Sequence, residues 1–209
     1  QTLTLTTSAS GTTAFNATGG GTITATGSGS TISSGTGIGL NVANTNIGTN
    51  DLTFQSITSN GASSGIVLDN TGTTASFGGL IVTGDATTSA NGSGGTIQNS
   101  TGGAGILLTN TRDVVLDQVN VNNNGNDGIH GVGVTNFTLT RSNVNSNGNS
   151  TLDDGLQFGE ASGTVVGVTG TVIITDTSIS GNAHNNVHIR STSGTIDNLT
   201  VTNSSFNNL

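Results

Sequence analysis

The sequence predicts an all-β solenoid, in which short strands wind into stacked parallel coils with polar corners and an aliphatic interior. Three observations predict it. First, one unit is written almost twice: Val114 to Gly125 superposes on Phe137 to Gly148 at an offset of 23 residues, apolar on apolar and Asn-Gly on Asn-Gly. Second, the apolar residues alternate with polar ones in period 2, the pattern of half-buried strands. Third, the chain is rich in Gly (34 residues), Thr, Ser and Asn. Thr, Val and Ile suit a pleated surface, while Gly, Asn and Asp suit tight corners. A fixed repeat of this kind is the mark of a solenoid whose units stack on their neighbours.

Low hydrophobicity with high Gly and Ser can also mark a disordered chain. Here charged residues are only 7% of the sequence, whereas disordered chains usually carry many, and the apolar residues are ordered in strand patterns. No stretch reads as a helix. The 209 residues suffice for one continuous domain.

The elements follow in order. Gln1 to Thr7 alternates as a strand, expected to cap the open end of the stack or pair with a neighbour. A second alternating piece follows at Thr22 to Thr26. Residues 1–36 read as this N-terminal segment with a first irregular coil, and 37–209 as the coils proper. Coil starts recur at Gly37-Ile38, Gly65-Ile66, Gly105-Ile106, Gly128-Ile129, Gly155-Leu156 and Asn186-Val187. A second strand follows each, at Leu52 to Phe54, Leu80 to Val82, Val114 to Leu116, Phe137 to Leu139, Val172 to Ile174 and Leu199 to Val201. Starts are separated by 23 residues (Gly105 to Gly128) up to 40 (Gly65 to Gly105). The extra length falls in Gly/Ser/Thr/Asn runs such as Thr83 to Gly94 and Ala161 to Gly167, expected to bulge from corners where insertion costs little.

These residues resemble the parallel β-helix repeat family, with its pectate-lyase-like right-handed coils, as found in bacterial surface and secreted proteins. The match runs from about Gly37 to Leu209. It implies a single-stranded right-handed parallel β-helix of six to seven coils, a rod on the order of 30 Å long at one strand spacing per coil. It says less about function, because the family includes pectate lyases, polygalacturonases, phage tailspikes and surface passengers.

Stacking predicts which residues share a column. Val114, Phe137, Val172 and Leu199 should form one inward ladder, and Leu116, Leu139, Ile174 and Val201 another. Asn60, Asn124, Asn147 and Asn182 each follow an inward aliphatic by three residues, so they are expected to bond one another from coil to coil; as ordinary turn residues they would only accept positive φ. His130, Gln157 and His188 should form an outward column, able to contact a metal or a sugar or simply to line the surface. Gln118, Arg141 and Asp176 fall in another column, with Arg141 and Asp176 expected as an exposed ion pair. Asp127 and Asp154 precede coil-start glycines, either to hold Ca²⁺ from one corner or to cap turns.

Pectin-cleaving relatives need clustered carboxylates, often beside Arg or Lys. Asp153-Asp154, Gly128-Ile129-His130-Gly131 and His188-Ile189-Arg190 resemble the polygalacturonase set, but in a different order and without its Lys. No catalytic residue is therefore assigned. Thr-x-Thr runs do not repeat in the coils starting at Gly155 and Asn186, which disfavours an ice-binding face. The Asn-x-Ser/Thr sequons are expected by chance in this composition.

The net charge of −8, with three Arg and no Lys, disfavours nucleic acid and insertion into or basic contact with membranes. There is no Cys and no apolar run long enough for a signal peptide or span. Gln1 is expected to follow a processing site or an artificial boundary. The C-terminal Ser205 to Leu209 stops just past a corner without a polar cap, an edge open to further pairing. The expectation is a secreted or bacterial cell-surface structural protein, a stalk or a fibre subunit stacking head to tail or joined to neighbouring domains, without a cofactor. The competing class is a carbohydrate-active β-helix acting on an acidic polysaccharide at the His130–Gln157–His188 face.

Overall fold

The computed structural model describes residues 2–160, 162–163 and 165–208. The parts of the expectations above that fall on Gln1, Ala161, Thr164 and Leu209 lie outside the described residues. Among the described residues there is no helix, and the strands build a parallel β-solenoid of about seven turns.

Each turn contributes one strand to each of three parallel sheets. The first turn is β1 (Thr4–Thr7), β2 (Phe15–Thr18) and β3 (Thr22–Ala25); the second is β4 (Thr31–Ser34), β5 (Leu40–Ala43) and β6 (Asn46–Phe54). The third comprises β7 (Ser56–Asn60), β8 (Ile66–Asp69) and β9 (Leu80–Val82), and the fourth β10 (Thr96–Gln98), β11 (Ile106–Thr109) and β12 (Arg112–Asp117). The fifth comprises β13 (Asn120–Asn122), β14 (Ile129–Val132) and β15 (Val134–Thr140), and the sixth β16 (Asn143–Asn145), β17 (Leu156–Phe158) and β18 (Val168–Thr175). The seventh is β19 (Ser178–Ser180), β20 (Val187–Ile189) and β21 (Ile196–Thr202), followed by β22 (Ser205–Asn207). The coil starts read from the sequence lead into the second strand of each turn. The N-terminal piece forms a turn like the others, with β1, β2 and β3 pairing in parallel with β4, β5 and β6.

The inward ladders lie where the alternation places them. Val114 stands beside Phe137, then Val172, then Leu199; Leu116, Leu139, Ile174 and Val201 run alongside. All but the last-turn pair, Leu199 and Val201, are fully buried. Burial of each such side chain stabilises the fold by about 1.5–3 kcal/mol, and the ladders join into one core running from the second turn to the seventh. Gly131 faces inward beside Phe158, whose ring packs edge-on against Phe137 with centroids 4.9 Å apart. A Cβ on Gly131 would collide with that Phe158 ring. The glycine after His130 is thus a packing requirement.

The corners use the left-handed backbone region. Asn44, Asn70 and Asn110, with φ of 51°, 53° and 46°, lead successive turns from the second strand into the third. Their exposed carboxamides link in turn, Asn110 Nδ2 donating to Asn70 Oδ1 at 2.8 Å and Asn70 Nδ2 to Asn44 Oδ1 at 3.3 Å. Asn suits this site because its short polar side chain tolerates positive φ.

A second ladder is buried. Asn124 Nδ2 donates to Asn147 Oδ1 at 2.8 Å, and Asn147 Nδ2 to Asn182 Oδ1 at 3.0 Å. Each Oδ1 also accepts a backbone N–H from the preceding turn: Ser100 to Asn124, Asn124 to Asn147, and Asn147 to Asn182. The coil-start glycines belong to the same device. A Cβ on Gly105, Gly128 or Gly155 would strike the carboxamide of Asn124, Asn147 or Asn182 respectively. At the last start, Asn186 takes the glycine's place and its Oδ1 accepts from Asn182 Nδ2 at 3.0 Å.

Two expectations are corrected. Asn60 is exposed and outside the buried ladder; its Oδ1 accepts from Asn99 Nδ2 at 2.8 Å. The cause is a register change, because Ile97 pairs with Ser59 and not with Ile57. Counting on from Ser59 and Ile97, Ala62 falls level with Ser100 in the ladder's slot, and Ala62 is buried. Arg141, in turn, pairs with Asp117 of the preceding turn, not with Asp176. Arg141 Nε and Asp117 Oδ1 are buried without partners. Burial pushes the Asp117 carboxyl above its ordinary range, and Arg141 opposes the shift.

Candidate functional site

The second sheet presents an outward column that changes character along the stack. Pairing aligns Asn16, Asn41, Val67, Leu107, His130, Gln157 and His188. The structure therefore brings His130, Gln157 and His188 into one file, at about 4.8 Å per step.

The corner before this column carries the aspartates. Asp127 Oδ1 accepts the Asp154 N–H at 2.5 Å, and Asp154 Oδ1 accepts the Asn185 N–H at 2.8 Å. Each thus caps the turn that stacks on it. Their other oxygens hold imidazoles: Asp127 Oδ2 lies 2.7 Å from His130 Nδ1, and Asp154 Oδ2 lies 2.9 Å from His188 Nδ1. His184 Nδ1 also approaches Asp154 Oδ1 at 3.1 Å. The Ca²⁺ expectation for Asp127 and Asp154 meets a different arrangement, in which all four carboxylate oxygens are already engaged. Among the described residues, no three His, Cys, Asp or Glu gather as a metal-holding group.

A carboxylate can only accept, so the Nδ1 of His130 carries the proton and its Nε2 faces outward. Glu160 Oε1 stands 3.5 Å from that Nε2. Burial pulls the His130 pKa down, but the hydrogen bond and charge of Asp127, with the charge of Glu160, outweigh it and leave the pKa raised. Beside the pair opens a groove of about 440 Å³, with Leu107 and Leu152 on its walls and Gln157, Asp153 and Glu160 among its polar groups.

Two members of the residue set compared with polygalacturonases, Asp153 and Arg190, make contacts with the backbone. Asp153 is buried and its Oδ2 accepts the N–H groups of Asn149 and Ser150, both at 2.9 Å. Arg190 Nη1 donates to the Glu160 carbonyl at 3.1 Å. Comparison with family models, with curated proteins and with solved structures gives no match. The reading of this face therefore rests on its geometry.

Sequence reasoning did not single out Glu160 or the leucines. Leu107 could have been found, since it occupies the position of His130 in the preceding coil. Glu160 follows the strand end in a long insertion, where no period fixes its place.

Proposed function

We propose that the chain is a structural or adhesive segment of an extracellular rod, secreted or displayed on a bacterial surface, built as a right-handed, pectate-lyase-like β-helix. The handedness follows the general preference of parallel crossovers. The observation that carries the reading is the continuity of three parallel sheets over about seven turns around one core. Such a stack gives stiffness through backbone hydrogen bonds along the axis, and its sides are largely Thr, Ser and Asn. At the last turn, Leu199, Val201 and Phe206 are exposed. A second copy or a neighbouring domain would cover this apolar end and extend the rod. Negative-stain electron microscopy of the protein from its source tests this. Uniform filaments or a long continuous stalk are expected; compact isolated particles with a sugar-cleaving activity would refute it.

A second reading is favoured by one observation, the groove beside His130 and Gln157. It is a carbohydrate-active face, binding or processing a polysaccharide. Retention on immobilised polysaccharides, lost when Leu152 is replaced by Asp, would support it.

A further inference from the structure

We infer that the groove beside His130 binds an amine-bearing sugar, an inference that rests on the carbohydrate reading of this face. Its volume, about 440 Å³, lies in the range of small-ligand sites. The lining supplies apolar surface: Leu107 stands in the outward column and Leu152 is 68% exposed. Carbon-bound faces of a pyranose ring suit such a surface, because they lose water to it at little polar cost.

The polar side is set in place before any ligand arrives. Gln157 is only 6% exposed, yet it lines the groove. Its Nε2 donates to the Gly159 carbonyl at 2.8 Å, which fixes the amide plane. Among the described residues, no side chain or backbone group donates to its Oε1, and the only bond this amide makes is the one from Nε2. A buried amide that lines a groove and whose oxygen meets no donor among the described residues is matched by a hydroxyl or N–H donor on a ligand.

Charge selects among sugars. Asp127, Asp153 and Glu160 line the groove together with His130, and Arg190 borders it through the Glu160 carbonyl. Three carboxylates against one imidazole and one guanidinium leave the site negative whether or not His130 is protonated. Glu160, with its side chain 58% exposed and its nearest charged neighbour 3.5 Å away, is the carboxylate open to a ligand. An acidic polysaccharide would be repelled here, and a protonated amine attracted. A 2-amino sugar therefore fits: ring carbons on Leu107 and Leu152, a hydroxyl donating to Gln157 Oε1, and the ammonium beside Glu160.

The test is titration of the intact protein, followed by NMR and calorimetry, with three probes: a glucosamine tetramer, its N-acetylated counterpart and a galacturonate tetramer. Only the amine-bearing tetramer is expected to shift the Gln157 side-chain resonances. Glu160→Gln, at an exposed position that leaves the core untouched, should weaken its binding about fivefold. Leu152→Ala should weaken it while leaving its salt dependence intact. If the acetylated or acidic tetramer binds as well, the amine inference fails and the carbohydrate reading survives. If no tetramer shifts the groove, both fail. If the amine-bearing tetramer binds but neither substitution matters, the attraction is to the net charge of −8 at large, and the inference is overturned.

Discussion

Replacing Asn147 by Ala should be among the most damaging polar substitutions in the chain, and its cost can be worked from its contacts. Asn147 is 1% exposed. Its Oδ1 accepts the Asn124 N–H at 3.2 Å and Asn124 Nδ2 at 2.8 Å, while its Nδ2 donates to the Val121 carbonyl and to Asn182 Oδ1, both at 3.0 Å. Alanine leaves the buried Asn124 N–H without an acceptor, which costs about 1–3 kcal/mol by itself. The lost carboxamide contacts and the small void beside Gly128 bring the total to about 3 kcal/mol. With a urea slope of about 3 kcal/mol/M for a chain of this size, the midpoint should fall by about 1 M. Asn147→Asp is a sharper probe. It puts an oxygen where Nδ2 donates, facing two other oxygens, so it should cost more than alanine near neutral pH and recover part of the loss in acid. Asn60→Ala is the control, expected to stay within about 0.5 kcal/mol of wild type. Equal midpoints for Asn147→Ala and Asn60→Ala, measured by circular dichroism, would refute the reasoning.

Three further outcomes are expected. Gly131→Ala should destabilise by about 1–3 kcal/mol through its collision with the Phe158 ring, and Phe158→Leu in the same chain should relieve part of it, as read from thermal midpoints of the single and double variants. Gln118 is fully buried beneath residues 85–93, its Nε2 donating to Thr87 and Ser89 and its Oε1 accepting from Asp85 and Ser93. Gln118→Ala should therefore speed hydrogen exchange and proteolysis in that loop while sparing the distant turns. The raised pKa of His130 means that its contribution to stability is complete below the ordinary value of 6.5 and fades as pH rises through the folded value. The stability gap between wild type and His130→Gln should accordingly be widest below pH 6.5 and shrink as the pH rises above it.

What the sequence made legible follows from what repetition fixes. Leu116, Leu139 and Ile174 were readable as one ladder because an inward slot admits little else. His130, Gln157 and His188 were readable as a file because each stands the same distance past a coil start. Asn60 was misplaced because β7 carries two residues more before its corner, and spacing from the nearest aliphatic cannot register a slip between turns. Arg141 was assigned a partner from its column, whereas its guanidinium reaches back to Asp117 in the preceding turn from a corner of φ 45°. The exposed Asn44–Asn70–Asn110 ladder had a signal in plain view: each is followed by Thr and stands just past a second strand. The groove was the least legible part. Leu152 and Glu160 sit outside the repeated strands, where repetition does not fix position, and only the fold brings them to the groove that Gln157 lines.

The long excursions at the corners make every turn advance by the same step whatever its length. The 40 residues from Gly65 to Gly105 and the 23 from Gly105 to Gly128 each climb one strand spacing, about 4.8 Å. Height along the molecule is thus counted in turns and not in residues. The chain behaves as a graduated ruler, on which a loop can lengthen at one mark without moving any other mark. Chemistry placed at the marks of Leu107, His130, Gln157 and His188 keeps its spacing while the loops beside it are free to change.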